Sequence, residues 1–163
     1  MSTQAETLNS FLSFRLDDEL FAANVGKVLE ILEIPKITKV PRSPEYMRGV
    51  VNLRGNVLPV IDTRTKFGLP PTSDTVNSCI LVLSIASAGK NITLGAVVDA
   101  VQEVMEIDNS AIQAVPSMGT RYKSEFIDGM VKLNDQFIML LNLDLVFTSE
   151  EVFVLEEAAG SKN

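Results

Sequence analysis

Apolar and polar positions alternate near the start of the chain. Leu12, Phe14 and Leu16 are separated by Ser13 and Arg15, the two-residue period of a half-buried strand. Asp17-Asp18-Glu19 then supplies a turn before the extended run Leu20-Phe21-Ala22-Ala23. Asn24 is placed to cap a short helical stretch, with Val25, Val28 and Leu29 at helical spacing, and Ile31 to Ile34 resumes an extended chain. Ser43-Pro44-Glu45 predicts a helix start, a capping serine with proline at the first helical position, and Gly49 limits that helix to about one turn. Val50 to Leu53 and Val57 to Ile61 predict a hairpin around Gly55-Asn56 with a type II′ turn, so Pro59 needs an edge or a bulge. Ile80 to Ile85 and Ile92 to Val98 predict two more strands around the turn Ala88-Gly89-Lys90-Asn91. Thr148 and Glu151 have capping-box spacing and open a terminal helix over 148–159 that carries Val152, Phe153 and Leu155.

The pattern occurs twice. Val28-Leu-Glu-Ile-Leu-Glu-Ile34 returns as Val101-Gln-Glu-Val-Met-Glu-Ile107, and Ile37-Thr-Lys-Val-Pro41 as Ile112-Gln-Ala-Val-Pro116. Gly49-Val-Val-Asn-Leu53 answers Gly129-Met-Val-Lys-Leu133, and Phe67 answers Phe147. The order of glycine, proline and apolar positions is kept throughout, which marks a degenerate internal repeat. Short strands with Gly/Pro turns predict a mainly β fold of two small barrels. The expected division is one domain over 8–160, with a first barrel at 11–67, a linker at 68–79, a second barrel at 80–147 and a C-terminal helix at 148–159. A unit of roughly 60 residues buries only about 60% of its unfolded surface, so two should share an extensive interface. A groove between them would be the natural ligand site.

Composition narrows the functional classes. The chain has 163 residues, 46% of them hydrophobic and 21% charged, as in a folded globular protein. A net charge of -7 argues against nucleic acid or an anionic membrane surface as a partner. Met1 to Glu6 is polar, and no apolar run approaches the roughly 20 residues that span a bilayer, so no direct membrane insertion is expected. One cysteine, Cys79, allows no internal disulfide and suits a reducing compartment; the chain is expected in the cytoplasm, with Cys79 buried. There is no histidine, which removes Ser-His-Asp and Cys-His catalysis and any imidazole-held metal. Neither a phosphate-binding G-x-x-x-x-G-K-[ST] loop nor a G-x-G-x-x-G turn is present. No catalytic residue, metal or cofactor is expected.

The two copies differ at the hairpin. Asn52-Leu-Arg54-Gly-Asn-Val57 faces Lys132-Leu-Asn134-Asp-Gln-Phe137, so the apolar frame persists while the tip turns from cationic to acidic. Arg42, Arg48, Arg54, Arg64 and Lys66 make the first copy's centre basic; Asp99, Glu103, Glu106, Asp108, Glu125, Asp128, Asp135 and Asp144 lie in the second. Such a contrast suits either solvated surface charge or two faces for two partners.

Gly49-Val-Val-Asn-Leu-Arg-Gly55, Pro59-Val-Ile-Asp62 and Arg64 before Phe67-Gly68 resemble the signature of the CheW-type chemotaxis coupling family. Val97-Val-Asp-Ala-Val-Gln-Glu-Val104 and Phe126-Ile-Asp-Gly129 match it too, and the resemblance covers about residues 10–157. Thr63 departs from it, standing where the family usually has an aliphatic residue, as does Ala22-Ala23-Asn24 in place of a Gly-Ile-Asp-like run. The resemblance implies two five-stranded SH3-like barrels. It also implies a scaffold that joins the cytoplasmic tip of chemoreceptors to the regulatory domain of the histidine kinase CheA, a monomer when free and ring-forming in arrays.

On that basis the receptor's helical hairpin would lie between the barrels, with Arg54 as polar anchor, Glu30 beside it, and Val28 and Ile31 serving either as apolar contacts or as core. Gly55 would shape the turn and Asn52 order it. The kinase would meet Ile37 and Val40, before Pro41, with Gly49 nearby. Other readings remain: a coupling protein of a non-chemotaxis kinase pathway, or an excised kinase regulatory domain, against which the start at Met1 weighs. A carboxylate-only hydrolase would need Asp62 and Asp99 in one cleft, although their contexts suit turn or capping roles.

Overall fold

The computed structural model describes residues 8–114 and 126–160. Its strands are β1 Leu8–Leu16, β2 Glu19–Asn24, β3 Val28–Glu33, β4 Met47–Leu53, β5 Asn56–Asp62, β6 Cys79–Ser87, β7 Lys90–Val98, β8 Ala100–Asp108, β9 Ile127–Leu133 and β10 Gln136–Leu141. The helices are α1 Thr63–Lys66, α2 Leu143–Val146 and α3 Ser149–Gly160, with 3-10 turns at Val25–Lys27 and Asn109–Ala111.

The strands form two five-stranded sheets, ordered β8-β1-β2-β10-β9 and β3-β6-β7-β5-β4. Each closes into a barrel, because the chain leaving β3 bridges back to β4 at Thr38–Val50, and the chain leaving β8 bridges to β9 at Gln113–Met130. We call the β3–β7 sheet barrel 1 and the other barrel 2. The two orders are the same once β1, β2, β8, β9 and β10 are matched with β6, β7, β3, β4 and β5. The parallel contacts correspond as well, β10 on β2 in one barrel and β5 on β7 in the other.

This topology corrects the division at 11–67 and 80–147. Those ranges are the sequence repeats, but each repeat lends its first hairpin to the other's barrel. The reason is local. A single residue, Asp99, separates β7 from β8, too little chain to reverse direction. The three-residue turn Val25–Lys27, capped by the Asn24 side chain accepting from the Gly26 amide at 2.8 Å, likewise carries β2 onward into β3. Both crossings therefore enter the opposite sheet.

Alternation sorts the side chains into three cores. Leu32, Val51, Leu58, Val60, Ile80, Val82 and Val97 belong to the cluster within barrel 1. Phe11, Ala22, Ile107, Val131, Ile138 and Leu140 form the one within barrel 2. The largest cluster takes the other faces of the same strands, among them Leu12, Phe14, Leu16, Phe21, Leu81, Leu83 and Ile85, and seals the seam between the barrels. Across it, Phe14 stacks on Phe21 (6.0 Å between centroids), Phe21 meets Phe67 (5.5 Å), and Phe67 stacks on Phe126 (5.1 Å). Helix α3 lays Val152, Leu155 and Ala159 on this seam cluster. Its capping box forms as expected: the Thr148 amide donates to Glu151 Oε1 at 2.9 Å and the Glu151 amide to Thr148 Oγ1 at 3.1 Å.

Some local expectations fail for identifiable reasons. Ser13 is not on a wet face; it is 1% exposed, and its hydroxyl donates to the Glu103 carbonyl at 3.0 Å while accepting from the Glu103 amide at 3.2 Å. The bond sits where the β1–β8 register shifts, so Ser13 satisfies the backbone of a bulge. No helix forms at Ser43-Pro44-Glu45. Ser43 Oγ instead donates back to the Val40 carbonyl at 2.7 Å and the Met47 amide donates to the Pro44 carbonyl at 2.9 Å, two successive turns. Pro59 lies in an inner strand, just before the point where the β5–β7 ladder begins at Val60, so its missing N–H breaks no ladder bond there.

Candidate functional site

The β4–β5 hairpin turns over Arg54 and Gly55, whose φ angles are 51° and 88°. Two consecutive positive values identify a type I′ turn, one residue earlier than the expected type II′ turn at Gly55-Asn56. Asn56 instead opens β5 and pairs with Leu53. The Asn52 side chain accepts a hydrogen bond from the Gly55 amide at 2.8 Å, the ordering role expected for it. The second repeat turns the same way over Asn134 (50°) and Asp135 (66°). Asparagine tolerates this backbone; arginine does so at a cost of about 1 kcal/mol. A strained residue with an exposed side chain is a sign of use outside the fold.

Arg54 forms an ion pair with Glu30 of β3, and its Nη1 also lies 3.5 Å from Glu30 Oε1. The Arg54 side chain is 67% exposed, so the pair contributes at most about 1 kcal/mol to stability. Around it the structure separates the remaining receptor candidates. Ile31 is 48% exposed, whereas Val28 is half-buried and packs on the seam cluster. Gly55 has open space where a Cβ would stand, and its positive φ is what demands glycine. Leu29 (55% exposed) and Val25 (37%) extend the apolar strip and were missed. Reading Val25, Val28 and Leu29 as one helical face hid them: the turn ends at Lys27, and Leu29 shares the exposed face of β3 with Ile31, two residues further on. Next to the strip, Lys27 Nζ bonds Asp144 Oδ2 at 2.9 Å, and Asp144 Oδ1 accepts from the Ala86 amide at 2.8 Å. Leu145 beside it is exposed.

The kinase candidates lie behind the surface. Val40 is 7% exposed within the seam cluster, and Ile37 packs against the interior of barrel 1. Gly49 is buried, and a Cβ there would overlap the Thr38 carbonyl and come within 2.8 Å of Ile37 Cγ2. Its glycine is needed for the crossing that closes the barrel, not to follow a short helix. Gly129 repeats the device, its Cβ position 2.8 Å from the Gln113 carbonyl. Val115, Pro116 and Glu125 lie outside the described residues.

The charge contrast is weaker in space than along the chain. Arg48 pairs with Asp62 and Asp74, Arg64 with Asp99 and Asp17, and Lys66 with Glu151, while Lys66 also sits 4.9 Å from the ring centroids of Tyr46 and Phe147. These bonds knit together segments far apart in sequence. Asp62 and Asp99 each hold a structural role. Asp62 caps α1 by accepting from the Thr65 amide at 3.2 Å, and Asp99 accepts from the Asp17 amide at 2.7 Å and from Arg64 Nη2 at 2.7 Å. Burial opposes ionisation of Asp99, yet the Arg64 and Asp17 hydrogen bonds outweigh it and hold its pKa below the usual value. Burial raises the Cys79 thiol pKa, leaving it a poor nucleophile. Among the described residues no cluster of acidic or cysteine side chains could hold a metal. The seam encloses only a cavity of about 30 Å3, lined by Phe14, Phe67, Leu83, Phe147 and Thr63 among others, so the barrels are packed there rather than parted by a groove. Val25, Leu29, Ile31, Glu30 and Arg54 all lie outside the lining of this cavity.

The family model for the CheW-like domain matches residues 10–151. The probable chemotaxis protein CheW of Rhizobium etli is 32% identical over 155 residues, covering 93% of this chain and 97% of that protein. The chemotaxis protein CheW of Rhizobium meliloti is 34% identical over 140 residues, covering 86% of this chain and 88% of its own. The crystal structure of the scaffolding protein TtCheW from Thermoanaerobacter tengcongensis superposes with a TM-score of 0.76 at 33% identity, covering 85% of this chain and 87% of that one. With the fold, the Arg54 hairpin and these relatives in agreement, the chain belongs to the CheW-like domain family.

Proposed function

We propose that this protein is a non-catalytic adaptor of chemotaxis signalling, coupling chemoreceptor cytoplasmic tips to the histidine kinase CheA in the cytoplasm. The observation that carries the receptor side is the pairing of a strained, exposed Arg54 with an apolar strip on β3. An amphipathic helix presenting an acidic or amide group between apolar anchors would fit it. Val25, Leu29 and Ile31 supply the apolar contact, Arg54 and Glu30 the polar one, and Val28 and Gly55 hold the two in place. We assign the kinase to the loop after β3, where Lys36 and Lys39 are exposed and Ile37, Val40 and Gly49 support them from within. At micromolar concentration the free protein is a monomer, and it enters rings only with its partners. No helix among the described residues is long and apolar enough to cross a membrane, so membrane association would come through the receptor.

The test is a three-component assembly assay with a receptor tip fragment and the kinase. Both should be retained at micromolar concentration. Retention of neither would overturn the adaptor reading.

A further inference from the structure

The two sequence repeats are interlocked rather than side by side. Four ladders join them, β1 to β8, β2 to β10, β3 to β6 and β5 to β7. Within residues 8–67 only the β1–β2 and β4–β5 hairpins and the Thr38–Val50 bridge remain internal. Residues 79–147 keep only the β6–β7 and β9–β10 hairpins and the Gln113–Met130 bridge. A lone two-stranded hairpin is marginal in water, so neither repeat can close a barrel by itself. The chain has the architecture of a dimer whose subunits have exchanged hairpins, joined into one polypeptide by residues 68–78. That joint is exposed from Pro70 to Asn77, is anchored by buried Leu69, and touches the body through the Arg48–Asp74 pair and the Arg64 bond to the Pro70 carbonyl.

We propose that a second copy of this chain can supply the missing repeat, giving a dimer in which the first repeat of each copy builds both its barrels with the second repeat of the other. Such an exchange keeps every ladder and the whole seam, Leu69 included; only the path of the exposed residues beyond it, up to Ser78, changes. The balance is then set by effective concentration, of order millimolar for a short flexible connection. The monomer dominates at micromolar concentration and the dimer competes near millimolar. Exchange requires opening four ladders, so it occurs during folding and is slow in the native protein. The dimer would carry two Arg54–Glu30 faces on one particle, but the inference rests on topology and does not depend on the proposed function.

The Arg64–Asp99 pair provides the test, since Arg64 is in the first repeat and Asp99 in the second. Arg64→Asp and Asp99→Arg chains each place like charges at this joint and should melt several degrees below the unaltered protein. In an exchanged heterodimer of the two, one joint regains the natural pair and the other gains its reverse. Asp17, 3.7 Å from Arg64, stays within the first repeat in either arrangement. Equimolar chains refolded together at about millimolar concentration should therefore elute at twice the monomer mass and recover most of the lost melting temperature. Two monomers that keep their lowered melting points after co-refolding would overturn the proposal. Should the pair not fold even when mixed, the unaltered chain decides: refolded at about millimolar concentration, it should yield a dimer that persists on dilution, and the absence of any dimer rejects the exchange.

Discussion

The Asn52 side chain accepts the Gly55 amide hydrogen bond at 2.8 Å and thereby holds Arg54 between them at φ 51°. The turn would accept asparagine at that position with less strain, as the second repeat does with Asn134. Arg54→Asn should therefore leave the protein as stable or raise its stability by about 0.5–1 kcal/mol, while weakening retention by receptor tips. Arg54→Ala should weaken receptor binding similarly with a nearly unchanged melting temperature, because an exposed ion pair is worth little. Thermal melts and a receptor pull-down read the two quantities separately. Undiminished receptor binding by both variants would falsify the role given to Arg54.

Gly49 faces the opposite test, one of fold rather than binding. Because a Cβ would strike the Thr38 backbone, Gly49→Ala should cost about 2–4 kcal/mol, at the upper end of ordinary overpacking. Gly68→Ala meets no atom within 4 Å, and its cost should be only the roughly 1 kcal/mol of a positive φ. Denaturant unfolding of the two variants should separate them clearly; equal midpoints would mean that the crossing over β4 is loose.

These glycines also show what the sequence could and could not convey. Gly49 and Gly129 fall at matching places in the repeat, and matching contacts explain them. Strand alternation, the capping box at Thr148 and the apolar frame of both hairpins were likewise legible, because each depends on neighbours a few residues away. Hairpin exchange was not, since it turns on the direction in which the chain leaves β2 and β7, decided by three residues in one case and by Asp99 in the other. Nor was the neutralisation of the basic stretch, because Lys66 finds Glu151 and Arg64 finds Asp99 only after the barrels dock. At the candidate site, Arg54 stood in the hairpin motif, and Glu30 was placed beside it only by the family resemblance. Leu29 was concealed because Val25, Val28 and Leu29 read as one helical face, whereas the chain enters β3 at Val28 and Leu29 alternates outward with Ile31.

Acid should loosen the joints between the barrels first. Asp99, Asp144 and Glu151 all have pKa values below normal: burial raises each, and hydrogen bonds with Arg64, Ala86 or Lys66 reverse the balance. A carboxylate depressed in the folded state contributes stability that is fully present above its unfolded pKa, about 4, and is lost as pH falls through the folded value. Stability should therefore be level near neutrality and decline below about pH 4. Asp99→Asn should lower stability at pH 7 and make the acid decline shallower. Parallel pH curves for the variant and the unaltered chain would contradict this assignment.

Thr63 is buried at 7% exposure, and its hydroxyl has no hydrogen-bond partner. It lines the small seam cavity, whose other walls are almost entirely apolar, so a water there would gain too few partners to be held well. An unsatisfied buried hydroxyl costs about 1–3 kcal/mol. Valine has nearly the same shape and no polar atom, and it suits the apolar surroundings made by Phe14, Leu83 and Phe147. The Asp62 cap and the α1 backbone are untouched by the change, since Asp62 bonds the Thr65 amide and not Thr63. Thr63→Val should therefore stabilise the protein by about 1 kcal/mol, a rise of roughly 2–4 °C in melting temperature for a chain of this size. Thr63→Ser keeps the hydroxyl and enlarges the cavity, and it should destabilise. If both substitutions lower the melting temperature, the hydroxyl is satisfied in solution and the seam is wetter than its apolar lining implies.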